Sequence, residues 1–106
     1  MNDPHYHAHA ASVEADNATQ EIDKRALFSQ HRPASSRRAI NASYSQNHIE
    51  ASKEHHAAAN FHNKAASANG ISHNRRMMHR KARELHKKAA ELHGGLIESQ
   101  HSEQLS

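Results

Sequence analysis

Six histidines recur at intervals of seven residues, His48, His55 and His62, then His79, His86 and His93, in a chain with thirteen histidines among 106 residues. Neutral imidazole ligates zinc, nickel and copper and titrates near neutral pH, so these six are candidates for metal or proton chemistry. Seven residues are two helical turns, which spaces successive rings about 10 Å apart along one helix, too far to share an ion. Within residues 46–93 no pair of histidines has the His-x-x-His or His-x-x-x-His spacing that would chelate within a helix. Two antiparallel helices change the arithmetic. His62 with His79, His55 with His86, and His48 with His93 each have numbers that sum to 141, so each pair can stand level across a hairpin. Two nitrogens per level make an incomplete metal site that needs water, a carboxylate or another subunit, whereas joint protonation would repel and loosen the pair. The plain expectation beside both is a set of solvated rings without a ligand role. His5, His7 and His9 form a second cluster beside Asp3. A flexible segment could wrap that triplet around a metal.

The elements that must position these rings can be read from a duplication. Shifting the chain by twenty-four residues places His55, Ala58, His62, Lys64, Ala65, Ala66 and Gly70 on His79, Ala82, His86, Lys88, Ala89, Ala90 and Gly94. In the second copy Met78, Ala82, Leu85, Ala89, Leu92 and Leu96 recur at steps of four and three, which predicts an apolar seam on a helix. In the first, Ala58, Phe61, Ala65 and Ala68 keep the same phase, and the histidines flank it. Between the copies, Gly70 can end a helix in the left-handed conformation and Ser72 can cap the next. The fold class is therefore all-α, an antiparallel helical hairpin over residues 46–93, with Gly94-Gly95 ending the second helix and a disordered tail over 94–106.

Residues 1–45 read as mostly disordered or partly helical, with the first fifteen residues disordered, a short helix from Thr19 to Gln30 stopped by Pro33, and Ile40 and Tyr44 extending the first long helix back to about residue 36. Leu, Ile, Val and Phe number only thirteen. Such a composition cannot build a large core, so partial disorder or self-association is expected.

The net charge of +3 is concentrated in residues 70–93, with seven Lys and Arg against two Glu. Arg76, Arg80, Lys81, Arg83, Lys87 and Lys88 lie off the seam and are candidate anion contacts, either a solvated face or a weak, nonspecific surface for nucleic acid or an acidic protein. Cysteine is absent, and no signal-like start or long apolar run occurs. The expected location is cytoplasmic, without a membrane partner. No glycine-rich phosphate loop, His-Glu-x-x-His motif or nucleophile elbow is present, which argues against an enzyme.

The unit Lys53-Glu54-His55-His56-Ala57-Ala58-Ala59 followed by His62-Asn63-Lys64-Ala65-Ala66 resembles the small bacterial histidine-rich proteins built from paired histidines alternating with paired alanines, a group without an established activity. The resemblance spans about residues 48–94. It departs in the second copy, where Arg80 stands in place of the second histidine of the pair. It implies a helical, nonenzymatic protein and adds no catalytic residues. The leading expectation is a small helical interaction protein that pairs with another copy or a partner helix. The alternatives are a zinc, nickel or copper binder or pH-responsive module, and a weak nucleic-acid binder.

Overall fold

The structure, a computed structural model, describes residues 4–25 and 34–105, and the side chains of 5–22 and 34–97. Four helices are present among the described residues: α1 (Pro4–Arg25), α2 (Ala34–Tyr44), α3 (His48–Ala66) and α4 (His73–Leu105). All-α is the observed class, and α3 and α4 form the expected hairpin. Gly70 turns the chain with φ +80°. Ser72 then caps α4 by accepting the Arg75 amide on its hydroxyl.

The sequence reading is corrected at four places. Residues 4–15 are helical, because Ala8, Ser12, Ala15, Thr19 and Ile22 form one buried stripe along α1. Four of these five side chains are small or polar, so the stripe has little hydrophobic contrast. Of the expected Thr19–Gln30 helix, the part up to Arg25 belongs to α1, and the rest lies outside the described residues. The backward extension of α3 is broken at residues 45–47, where Gln46 takes φ +56° and Asn47 caps α3 through Glu50 N–H. Finally, α4 runs through Gly94-Gly95 to Leu105. A glycine costs about 1 kcal/mol inside a helix, and buried His93 and Leu96 on either side anchor this stretch to the bundle.

α4 packs against α3 and α1, and α2 packs against α3 and α1, so α1 and α3 face each other across the bundle diagonal. Side-chain partners fix each register. Between α1 and α3 the numbers differ by a constant 43, as in His5 with His48, Ser12 with His55, and Thr19 with His62, which is a parallel pair. Between α1 and α4 the sum is constant at 105, as in Ser12 with His93 and Thr19 with His86, which is antiparallel. α2 is shorter and fills the fourth corner beside one half of α1, through Ser36 to Asp16 and Ser43 to His9.

The core follows a seven-residue pattern in all three long helices. One position carries a polar residue: His5, Ser12 and Thr19 in α1, His48, His55 and His62 in α3, His79, His86 and His93 in α4. The companion position carries Ala8, Ala15 and Ile22, then Ala51 and Ala58, then Ala82, Ala89 and Leu96, all buried. This is heptad packing with alanine at one core position and hydrogen-bonding groups at the other. The expected Met78–Leu85–Leu92 line of the seam is displaced by one residue, with Met78 and Leu85 half-buried and Leu92 exposed. Small side chains let the backbones approach closely, and imidazoles occupy the space that leucines fill elsewhere.

The hydrogen-bonded imidazole core as candidate functional site

The six hairpin histidines are at most 2% exposed, and five of them are fully buried. The expectation of solvated rings is overturned. The helices turn one residue further than the Met/Leu seam implied, which carries His79, His86 and His93 inward with Ala82 and Ala89. The three pairs whose numbers sum to 141 meet level by level. The Nδ1–Nδ1 separations are 2.7 Å for His48 and His93, 2.8 Å for His55 and His86, and 2.9 Å for His62 and His79.

α1 supplies the links between levels. Ser12 Oγ lies 2.8 Å from His55 Nε2 and 2.9 Å from His93 Nε2. Thr19 Oγ1 lies 3.0 Å from His62 Nε2 and 2.9 Å from His86 Nε2. His5 Nδ1 lies 2.8 Å from His48 Nε2. Nine side chains therefore form one unbranched path of eight hydrogen bonds: His5, His48, His93, Ser12, His55, His86, Thr19, His62, His79.

Proton positions follow from counting donors and acceptors. Thr19 donates its hydroxyl hydrogen to the Ala15 carbonyl at 3.1 Å. Both facing nitrogens, His86 Nε2 and His62 Nε2, must then donate to Thr19. A neutral ring carries one N–H, so His86 Nδ1 accepts from His55 Nδ1–H, and His55 Nε2 accepts from Ser12 O–H. Ser12 in turn accepts from His93 Nε2–H, His93 Nδ1 accepts from His48 Nδ1–H, and His48 Nε2 accepts from His5 Nδ1–H. On the other side, His62 Nδ1 accepts from His79 Nδ1–H. All eight bonds are made with every ring neutral.

Burial favours the same state. Removal from water, reinforced by neighbouring rings, depresses His55 and His93 to about 4 and His62 and His86 to about 3. His48 is lowered for the same reasons, with His5 as the neighbouring ring. The buried carboxylate nearest this core is Asp16, which accepts from Ser36 Oγ at 2.8 Å and Gln20 Nε2 at 2.6 Å. It opposes the depression of His55 without cancelling it.

The metal reading assigned to His48, His55, His62, His79, His86 and His93 is not what their geometry expresses. Among the described residues no three His, Cys, Asp or Glu side chains converge on a point that could hold an ion. Each Nδ1 faces its partner ring at hydrogen-bond distance, closer than two nitrogens each about 2.0 Å from a tetrahedral zinc would stand. Of the candidate anion contacts, Arg80, Lys81, Lys87 and Lys88 face solvent. Arg76 is half-buried, and Arg83 is bound to Glu84 and Asn63, both at 2.9 Å.

Sequence reasoning missed Ser12, Thr19 and Asp16, and it placed His5 in a flexible triplet with His7 and His9, whereas His5 stands on α1 against His48. The signal was present in the heptad His5-Ser12-Thr19 beside Ala8-Ala15-Ile22, and in its constant offset of 43 from the α3 histidines. No protein-family model, curated protein or solved structure matches this chain. No helix among the described residues is long and apolar enough to cross a membrane.

Proposed function

We infer that this chain is a nonenzymatic, acid-responsive helical module, held closed while its central imidazoles are neutral and opened when they take up protons, so that its alanine-lined helices become free to pair with another copy or a partner helix. The observation that carries this reading is the continuous hydrogen-bond path, in which each ring has one N–H and every N–H has an acceptor. A second proton at any Nδ1–Nδ1 contact sets two N–H groups against each other at under 3 Å, where burial keeps solvent from the charge. A half-satisfied buried polar network is worse than none.

The groups around the responsive rings leave little to compensate that charge. His55, His62 and His86 face Ser12, Thr19 and Asp16 from α1, and His79 and His93 from α4. On α2, Arg38 is paired with Glu54 of α3 at 2.9 Å. His56 stands on α3 beside His55 and lowers it further. Asp16 is an anion acting on His55, and its oxygens are engaged by Ser36 and Gln20.

Ser12 and His55 have the separation of a nucleophile and its base, yet both are fully buried. That burial favours a nonenzymatic role, because a substrate cannot reach the hydroxyl. The test is helicity and sedimentation of the full chain between pH 7.5 and 4 with a chelator present. The reading requires cooperative loss of the bundle below pH 6.5, with association appearing as it opens. Unchanged helicity and mass to pH 4 would refute it.

A further inference from the structure

We propose that the outer groove between α3 and α4 binds the phosphate backbone of a nucleic-acid duplex, without regard to base sequence. Two rows of side chains border this groove, each with steps of four, three and four residues that keep to one helix face. On α4 the row is Arg76, Arg80, Arg83 and Lys87, continued by Ala90 and Gly94. On α3 it is Ser52, His56, Ala59 and Asn63. Two contacts show that the rows face each other. Ser52 donates from Oγ to the Ala90 carbonyl at 3.1 Å, and Arg83 Nη1 donates to Asn63 Oδ1 at 2.9 Å. α1 and α2 pack on the opposite side of the hairpin, and Arg80, Lys87, His56 and Asn63 along the groove are exposed.

The charge of the α4 row is not answered from within the chain. Edge cations in paired helices commonly face carboxylates on the neighbour. Here both carboxylates of α3 lie towards α2, where Glu54 binds Arg38 at 2.9 Å and Glu50 borders a cleft with Arg38 and Asn41. On α4, Glu84 and Glu91 follow Arg80 and Lys87 by four residues, yet neither forms an ion pair with them, and Glu84 instead holds Arg83 Nε at 2.9 Å. Arg76, Arg80 and Lys87 therefore have no carboxylate partner among the described residues. Arg76 Nε is in addition buried without an acceptor. From Arg76 to Lys87 the row is about 16 Å long.

The rest of the groove selects among anions. A protein partner needs a buried apolar anchor at the centre of its interface. None of the exposed large apolar side chains, Tyr6, Tyr44, Ile49, Met77 and Leu92, falls on either row. An anionic lipid surface needs an apolar face to enter, which is absent for the same reason. Interfaces with nucleic acid are polar and strongly positive, and the hydroxyl and amide groups of the α3 row are neutral partners that phosphate oxygens accept. Neither row holds a Phe or Tyr on which an unpaired base could stack, so a single strand gains nothing beyond its charge, and the duplex carries the denser charge. Contact with phosphates alone carries no sequence information. The groove belongs to the closed bundle at pH 7.5 and does not depend on opening by acid.

The experiment is fluorescence anisotropy of a labelled mixed-sequence DNA duplex titrated with the full chain at pH 7.5 over a salt series. Two double variants of equal charge are compared. Arg80→Gln with Lys87→Gln removes two cations from the row, and Lys81→Gln with Lys88→Gln removes two from the same helix one residue, about 100°, away from it. All four side chains face solvent, so both variants are expected to keep the helicity of the wild type. For the wild type, a slope of log affinity against log salt of about −3 is expected. The row variant should bind about tenfold or more weakly at about 100 mM salt, with the slope flatter by about 2, while the other variant stays within about threefold. Equal losses in the two variants would overturn the groove as the site. No binding by the wild type, or binding indifferent to salt, would overturn the proposal without need of a variant. Tighter binding of the single strand than of the duplex, or displacement by poly-glutamate as readily as by unlabelled duplex, would overturn the choice of partner.

Discussion

His55 and His86 meet Nδ1 to Nδ1 at 2.8 Å, one from each arm of the hairpin, with neither ring exposed to solvent. Only one proton can occupy that contact. Its remaining valence is set by Ser12 on one side and Thr19 on the other, so the pair is neutral as a consequence of its connections as well as its burial. Stability, pH response and the effect of substitutions all follow from this relationship.

Acid should unfold the bundle steeply. His55, His62 and His86 have folded pKa values of about 4, 3 and 3 against 6.5 in the unfolded chain. A depressed imidazole contributes stability that is full above the unfolded value and is lost as pH falls below it, because the unfolded chain then binds more protons. Each ring removes about 1.4 kcal/mol per pH unit below 6.5, so three remove roughly 4 kcal/mol per unit. A domain of ordinary stability, roughly 5–15 kcal/mol, should melt between about pH 6 and 4. Circular dichroism with proton-uptake measurement checks this, and uptake of fewer than two protons per chain across the transition would be inconsistent with it.

Thr19 should tolerate serine and reject valine. Thr19→Val keeps the shape but leaves His62 Nε2–H and His86 Nε2–H buried without an acceptor, and each orphaned group costs about 1–3 kcal/mol. Thr19→Ser keeps the acceptor and loses one methyl, about 1 kcal/mol. Urea denaturation at pH 7.5 should therefore place the valine variant well below the serine variant. The reverse order would mean that the methyl matters more than the hydroxyl.

Removing both rings of one level should cost less than the sum of removing each. His55→Leu strands His86 Nδ1, and His86→Leu strands His55 Nδ1–H. The double variant replaces the facing pair with apolar groups that need no partner. Single losses of about 2–3 kcal/mol and a double loss at least about 1 kcal/mol below their sum are expected from a double-mutant cycle. Additive losses would show that the rings are not coupled.

The alanine positions should be intolerant of size. Ala58 and Ala82 are fully buried between helices. Leucine at either site must push backbones apart or leave its rotamer, costing about 1–3 kcal/mol or more, and it should stretch the hydrogen bonds of the adjacent level. Arg38→Ala, in contrast, breaks an ion pair whose arginine is largely exposed, so its effect should stay below about 1 kcal/mol. Thermal melts of the three variants separate these cases.

Much of the hairpin was legible because its register is an arithmetic property of the histidine numbers. Gly70 and Ser72 also acted where their chemistry predicts. The side of the helix was not legible. Met78, Leu85 and Leu92 sit one residue before His79, His86 and His93, so two stripes about 100° apart compete for the core, and hydropathy favours the wrong one. The histidine stripe wins because α1 brings hydroxyls that satisfy it, and α1 was itself hidden by having serine, threonine and alanine where a core helix usually has leucine. Hydrophobic contrast is the signal that sequence reading uses, and this core replaces it with hydrogen bonds.

The most direct test of the continuous path is the nitrogen-15 spectrum of the histidine rings at pH 7.5, recorded for couplings transmitted across N–H···N hydrogen bonds. The account predicts neutral rings with protons on Nδ1 of His48, His55 and His79 and on Nε2 of His62, His86 and His93, and couplings joining His48 to His93, His55 to His86, and His62 to His79. Rings that average freely between tautomers, exchange their N–H protons with water as exposed histidines do, and show no coupling across the pairs would contradict it.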